Sequence, residues 1–143
     1  METGVEQGRI VVKMRSDEDF LPSLVGVLEE EGFASGLVLS GIGALKDFEL
    51  GWFDIQERRY VRSRYESSHE LLSLQGTVTL ESDPPLHVHC SLADVRQKVV
   101  GGHLFGGTVS VLAEVAVQVL SEIRLTRELN QQTGLKELKI RKR

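Results

Sequence analysis

The sequence is short of the residues that mark several classes of protein. Its 143 residues include one cysteine, three prolines and one tryptophan, and no apolar run approaches the roughly 18 residues of a membrane span. The single cysteine, Cys90, excludes an internal disulfide and is typical of a reducing compartment. The first seven residues are polar and acidic, unlike a secretory signal. We therefore expect a cytoplasmic protein without membrane association.

Positive charge is also in short supply, except at one end of the chain. Seventeen basic residues face 21 acidic ones, for a net charge of −4. Segment 136–143 holds five basic residues and one glutamate, so it carries +4 and the other 135 residues carry −8. An acidic body is a poor partner for a polyphosphate, so any nucleic-acid contact would have to be local, and weak or indirect. The hydrophobic content of 41% is ordinary for one globular domain.

Three of the four histidines lie close together in the sequence. His87 and His89 stand two apart in an alternating run that predicts a strand, so their imidazoles share one face, roughly 6.5–7 Å apart. His103 lies between two Gly-Gly pairs, which predicts a loop that delivers a third imidazole. Together they could bind one divalent metal, with Zn²⁺ favoured by neutral imidazole. The alternative is ordinary polar residues on a half-exposed strand.

Other groups near the histidines have several possible roles. Cys90 follows His89 directly, so it points to the opposite face and is expected to be buried. Glu114 lies inside the apolar run 109–123, where an unpaired carboxylate is costly. It could ligate a metal, hold a histidine ring in the second shell or form a salt bridge, and the second-shell role is our expectation. Glu114 or Asp94 could also act as a base, but no motif identifies a catalytic residue.

A second candidate surface is the alternating segment 58–65. Arg58, Tyr60, Arg62 and Arg64 share one predicted face, and the three arginines are called the arginine face below. A basic face that contains an aromatic ring suits contact with a nucleic-acid backbone. The alternative is an outer strand that charge protects from aggregation. His69, a few residues later, is expected to be a surface polar residue.

The pattern of elements predicts an α+β fold. A helix is expected to begin at an Asp19 N-cap, with Pro22 in its first turn, and to end near Gly32. Gly41–Gly43 interrupts the strand pattern as a bulge or turn. We expect one largely antiparallel sheet of about seven strands with this one main helix packed on it. Residues 1–8 are expected to be flexible, 9–138 to form a single domain, and 139–143 to be a basic tail. The predicted strands are 9–15, 35–40, 45–53, 58–65, 70–80, a strand through 87–89, a long bent strand or strand pair over 109–123, and 124–129.

Several motifs resemble one known family. Leu86–His89, Val99–Leu104, Gly107–Val109 and Glu114 are similar to the signature of the plants and prokaryotes conserved (PPC) domain. Segments 38–44, 50–53 and 70–76 fit the same family, although Ser68 and His69 replace its usual arginine and aromatic residue. The resemblance runs from about residue 9 to residue 138.

The resemblance implies a homotrimer that acts as a binding or regulatory module. In plant nuclear members this domain is joined to AT-hook segments that bind DNA, and the histidines are missing there. The present chain has no Arg-Gly-Arg core of an AT-hook, so an association with DNA is an expectation by analogy. The alternative is a metal-dependent enzyme or small-molecule binder that acts at the histidine site, where metal-bound water would suit hydrolysis or carbonyl polarisation.

Overall fold

The computed structural model describes residues 1–142, which form nine strands and one helix. Seven strands make one antiparallel sheet in the order β1-β2-β7-β6-β5-β3-β4. Because β7 also pairs with β3, the strands β3, β5, β6 and β7 close into a ring. This confirms the predicted α+β sheet of seven strands with one main helix. The elements are β1 Glu2–Glu6, β2 Arg9–Arg15, α1 Phe20–Glu30, β3 Ser35–Asp54, β4 Arg59–Tyr65, β5 His69–Thr79, β6 Leu86–Ala93, β7 Val99–Val119, β8 Ile123–Leu129 and β9 Lys136–Lys142.

The helix forms where its end signals predict. Asp19 is the extended N-cap residue, and Pro22 occupies the first turn, where its missing N–H is not needed. Beyond the C-terminus, Gly32 adopts a φ of 72°, which a glycine tolerates without strain. The described part of the chain has no helix long and apolar enough to cross a membrane. The buried face packs against the sheet through Phe20, Leu24, Val27 and Leu28.

Strict alternation in the short strands supplies much of the core. In β2 every second residue is buried, and Ile10, Val12 and Met14 are at most 1% exposed. Each such side chain stabilises the fold by about 1.5–3 kcal/mol relative to leaving it in water. The same alternation places Cys90 in the core, and burial raises the pKa of its thiol to about 12. Cys90 therefore faces away from the histidines, as expected.

Two strands are much longer than the sequence suggests. β3 has 20 residues and β7 has 21. The glycines at 41–43 do not separate two strands. They lie within β3, where the register shifts between Val38 and Ser40 and between Gly43 and Leu45. The irregularities thus flank the glycines, which themselves pair in register with β7, and the separate strand expected over 45–53 is wrong. Similarly, residues 109–119 of the long strand expected over 109–123 form the second half of β7, which ends at Val119.

Both ends of the described chain carry strands that the sequence did not suggest. Residues 1–8 were expected to be flexible, but β1 pairs with β2 from Glu2 to Glu6. Residues 139–142 of the expected tail belong to β9, which pairs with β8 over seven residues; residue 143 lies outside the described residues. Exposed ion pairs join the two strands to each other and to the rest of the chain, such as Arg141–Glu128 and Lys136–Asp83, each at 2.8 Å.

Candidate metal centre

β6 and β7 place the three histidines on one face of the sheet. His89 lies directly opposite His103 in the antiparallel register. His87, two residues before His89, extends the same face, as the alternation predicts. The expectation that His103 sits on a loop is wrong. The preceding glycines pair with Ser91 and Cys90, so this segment continues β7.

The three imidazoles are close enough to share one ion. One candidate nitrogen from each ring lies within 4.8 Å of the other two, and His87 Nε2 is 3.2 Å from His89 Nε2. In a tetrahedral site with bonds of about 2.0–2.1 Å, neighbouring ligand nitrogens are about 3.3 Å apart. The first pair already has that spacing. The third nitrogen would need to move by no more than about 1.5 Å, which a side-chain rotation supplies.

The protonation states also suit metal binding. Burial lowers the pKa of His87 to about 4, with further contributions from the charges of Arg127 and His89. Burial likewise lowers the pKa of His103 to about 4, followed by the charges of His87 and His89. Both rings are therefore neutral at pH 7, which is the state that coordinates a metal. His103 Nδ1 is buried without a hydrogen-bond partner, and such an atom costs free energy unless a ligand satisfies it.

Aromatic rings cover one side of the cluster. The centroid of the His103 ring is 4.5 Å from that of Phe105 and 4.9 Å from that of Tyr60. Gly51 permits this approach, since a Cβ there would lie 2.9 Å from Tyr60 Cδ1 and closer still to the Phe105 ring. The aromatic wall limits the access of water and contributes to the low pKa of His103.

The same two aromatic rings help to line a pocket that the sequence did not reveal. Its volume is about 490 Å³, and it lies between the histidines and the β8–β9 hairpin. The lining residues that matter most are His87 and His103 on one wall and Arg127 of β8 on another. Strand alternation could have indicated that Arg127 faces inward, because it shares a strand face with buried Leu125. An arginine on an inward face of a strand is uncommon and points to a role in a pocket.

Two carboxylates considered as partners of the histidines lie elsewhere. Glu114 is exposed on β7, opposite Lys13 and Ile42, and its carboxylate is not grouped with the imidazoles. Within one chain the expected second-shell contact is therefore not formed. Asp94 accepts backbone hydrogen bonds from Arg96 and Lys98 at 2.8 and 2.9 Å. These bonds, the one from Lys98 foremost, lower the pKa of Asp94, so its carboxylate orders the β6–β7 turn.

The fourth histidine is not on the surface, contrary to expectation. His69 is 7% exposed and packs edge-on against the rings of Phe48 and Tyr65. Its Nδ1 lies 2.9 Å from the carbonyl oxygen of Ser67. It is a core residue and does not belong to the group of three imidazoles.

The arginine face is only partly available for an external phosphate. Arg58 lies before β4 with a φ of 50°, so it does not continue the strand alternation. Arg62 is 3.3 Å from Glu49 and its guanidinium lies 3.6 Å from the centroid of the Phe105 ring. Arg64 is 4.0 Å from an Asp47 oxygen. Because neighbouring acids offset two of the charges, the nucleic-acid contact stays a prediction.

Known proteins share this fold at 22–30% sequence identity. A metal-containing protein from Archaeoglobus fulgidus superposes with a TM-score of 0.83 at 30% identity, covering 95% of both chains. A candidate DNA-binding protein from Bacteroides thetaiotaomicron, at 22% identity and a TM-score of 0.86 over 96% of both chains, shows the same fold.

A curated relative is much longer than this chain. The bifunctional protein GlmU of a Synechococcus strain is 27% identical over 132 residues, which are 92% of the present chain and 20% of that protein. The chain thus spans about a fifth of that relative's length. The sequence model of the plants and prokaryotes conserved domain matches residues 1–121. Because this match covers most of the chain, the protein belongs to the plants and prokaryotes conserved domain family.

Proposed function

We propose that this protein is a metal-binding module in which His87, His89 and His103 hold one divalent ion, with Zn²⁺ the best match. The observation that carries the proposal is the convergence of three imidazole nitrogens within 4.8 Å of one another. Neutral imidazole suits zinc better than Mg²⁺ or Ca²⁺, which prefer oxygen ligands. The metal-containing relative from Archaeoglobus fulgidus supports the same chemistry.

Three protein ligands leave the fourth tetrahedral position open, as in catalytic rather than structural zinc sites. A zinc ion there would supply Lewis-acid polarisation or a bound water of lowered pKa. The chain's own residues hold the ion, exclude water through the aromatic wall and present a pocket of about 490 Å³ beside it. The pocket favours a second function, that of a small-molecule binder or metal-dependent enzyme, because a purely structural site needs no such space.

The proposed module is a homotrimer that acts as a binding or regulatory unit. The outer face of the central strands leaves apolar side chains in water, with Val11 54%, Ile42 52% and Leu112 37% exposed. The register places them on the face opposite the core residues. Large apolar residues exposed on one sheet face, here interspersed with Lys13 and Glu114, suit contact between chains. Any association with DNA is expected to be weak or indirect, because the arginine face is partly offset by acids.

The metal site is tested by elemental analysis of untagged protein incubated with zinc and then passed through a desalting column. Wild type should retain stoichiometric zinc, and His89→Ala should lose it, because two imidazoles hold zinc far more weakly than three. His69→Gln is the matched control, since His69 lies outside the group. The proposal is refuted if folded wild type takes up no zinc, or if His89→Ala retains as much as wild type.

A further inference from the structure

Arg127 lies in the wall of the pocket without an acidic partner among the described residues. Its Nη2 donates to the Thr77 hydroxyl and its Nη1 to the Lys136 carbonyl, at 3.3 Å for the latter. Both acceptors are neutral, so these bonds position the guanidinium without offsetting its charge. Nε is buried and has no partner. Of the five N–H donors of a guanidinium, three therefore remain without a protein acceptor.

The two other fully charged side chains in the pocket lining have different surroundings: Lys136 has an opposite charge beside it, whereas Glu137 is hydrogen-bonded to neutral groups. Lys136 Nζ is 2.8 Å from a carboxylate oxygen of Asp83. Glu137 accepts hydrogen bonds from Asn130 at 2.7 Å and from Thr133 at 3.3 Å. Among the described residues, Arg127 is thus the cation of this lining without an ion-pair partner, because the other cation, Lys136, is paired with Asp83. A half-buried cation without a counter-charge is costly, and an anion that enters the pocket would offset that cost.

The rest of the lining favours an apolar ligand body. Phe105 lies beside the histidines, and Pro84, Leu135 and Leu138 contribute apolar surface from the facing side. The volume of about 490 Å³ falls within the range of pockets that bind small molecules, about 300–1,000 Å³. One arginine in a partly open, mostly apolar pocket suits a single anionic group better than a polymer of phosphates.

We propose that this pocket binds a small organic anion with an apolar body, whose anionic group lies between the Arg127 guanidinium and the open position of the metal held by the histidines. The proposal rests on the proposed metal site and names the ligand class for it. Arg127 is the specificity-determining residue, and the β8–β9 hairpin that carries it contributes one wall. A carboxylate and a phosphate ester share the required chemistry.

The test uses benzoate as the probe, with neutral benzamide of the same shape as its control. Isothermal titration of zinc-loaded wild type should show benzoate binding at least about tenfold tighter than benzamide, as expected for hydrogen bonds to a charged group. Phenyl phosphate tests the second head group, and the tighter of the two anions identifies the preferred source. Arg127→Gln should lower benzoate affinity about tenfold while leaving benzamide binding and the zinc content unchanged.

Two further variants separate charge from general disturbance of the hairpin. Arg127→Lys should restore part of the affinity, because it keeps the charge but not the planar donor fork. Arg124→Gln removes an exposed arginine of the same strand, paired with Glu81 at 2.5 Å, and should bind benzoate like wild type. A loss in Arg124→Gln equal to that in Arg127→Gln would overturn the proposal.

The outcomes distinguish failure of the metal site from failure of the anion site. Zinc uptake with equal binding of benzoate and benzamide, or with benzoate binding that is insensitive to Arg127, overturns the anion site and leaves the metal site standing. Absence of zinc uptake overturns the metal site. Benzoate binding to metal-free protein then remains the measure of the anion site, which stands if that binding depends on Arg127 and fails if it does not.

Discussion

We expect a single methyl group added at Gly76 to displace the β6 backbone that carries two of the candidate metal ligands. Gly76 lies on β5 opposite Val88 of β6. A Cβ at this position would lie 2.8 Å from the Val88 Cα and closer still to the carbonyl oxygen of His87, distances under the 3.0 Å that real Cβ atoms keep. The obstructing atoms belong to the backbone, so no side-chain rotation relieves the clash.

These distances set the size of the expected effects on stability and metal affinity. For ordinary contact at 3.4 Å, the Val88 Cα must retreat by about 0.6 Å and the His87 carbonyl by more. We expect Gly76→Ala to lower the free energy of unfolding by about 3 kcal/mol, the upper end of the usual cost of overpacking. For a domain of this size that corresponds to a fall in Tm of roughly 6–12 °C. Metal affinity should drop about 10–100-fold, because positioning of this kind tolerates errors of only about 0.5 Å.

The matched control is Gly106→Ala. Gly106 is also a strand glycine, but a Cβ there meets nothing within 4 Å. Thermal unfolding of metal-free protein at one fixed concentration measures the change in stability. Competition with a zinc-binding dye measures the change in metal affinity. The reasoning would be refuted if the Tm of Gly76→Ala lay within about 2 °C of the Tm of both wild type and Gly106→Ala. A loss of only about 1 kcal/mol would already lower the Tm by at least that amount.

Three further expectations concern pH, assembly and DNA. Urea unfolding of metal-free protein should show a loss of stability as the pH falls from 6.5 toward 4. The reason is that the pKa values of His87 and His103 are lowered to about 4 in the folded protein, so the unfolded chain takes up protons first. A stability that does not change with pH would contradict the burial of these rings. Sedimentation should show a trimer that Ile42→Glu disrupts, and a stable wild-type monomer would exclude the assembly. Gel shifts at physiological salt should show weak, unselective DNA binding, reduced further by Arg62→Ala; nanomolar selective binding would be inconsistent with the acidic body.

Local signals in the sequence predicted the local parts of this structure well. The cap at Asp19 depends on a few neighbouring residues, and the shared face of His87 and His89 depends only on strand alternation. The location of His103 depends instead on how β7 pairs with β6, which no local pattern encodes. The glycine pairs around it predict a loop by propensity, yet cross-strand pairing with Ser91 and Cys90 keeps them in a strand.

The C-terminal hairpin shows a second limit of sequence patterns. Five basic residues within 136–143 predict a solvated tail. Two of those charges, Lys136 and Arg141, form ion pairs, and β9 pairs with β8 along seven residues. Exposed pairs of this kind contribute little each, about 0–1 kcal/mol, so the hairpin is held mainly by backbone pairing and by Leu125, which is 3% exposed. Because such pairing is a nonlocal property, the amino-acid composition of the segment does not predict it.

The division of the site between two sheets has a functional consequence. The imidazoles project from β6 and β7, which belong to the closed ring of strands, whereas Arg127 belongs to the separate β8–β9 sheet. The proposed metal site depends on the register of β6 and β7, which core packing fixes through residues such as Val88 and Leu104. Substitutions on the pocket-facing side of the hairpin change the ligand wall without touching that register. For the proposed metal and anion sites we therefore expect variants of the hairpin to alter anion affinity at constant zinc content.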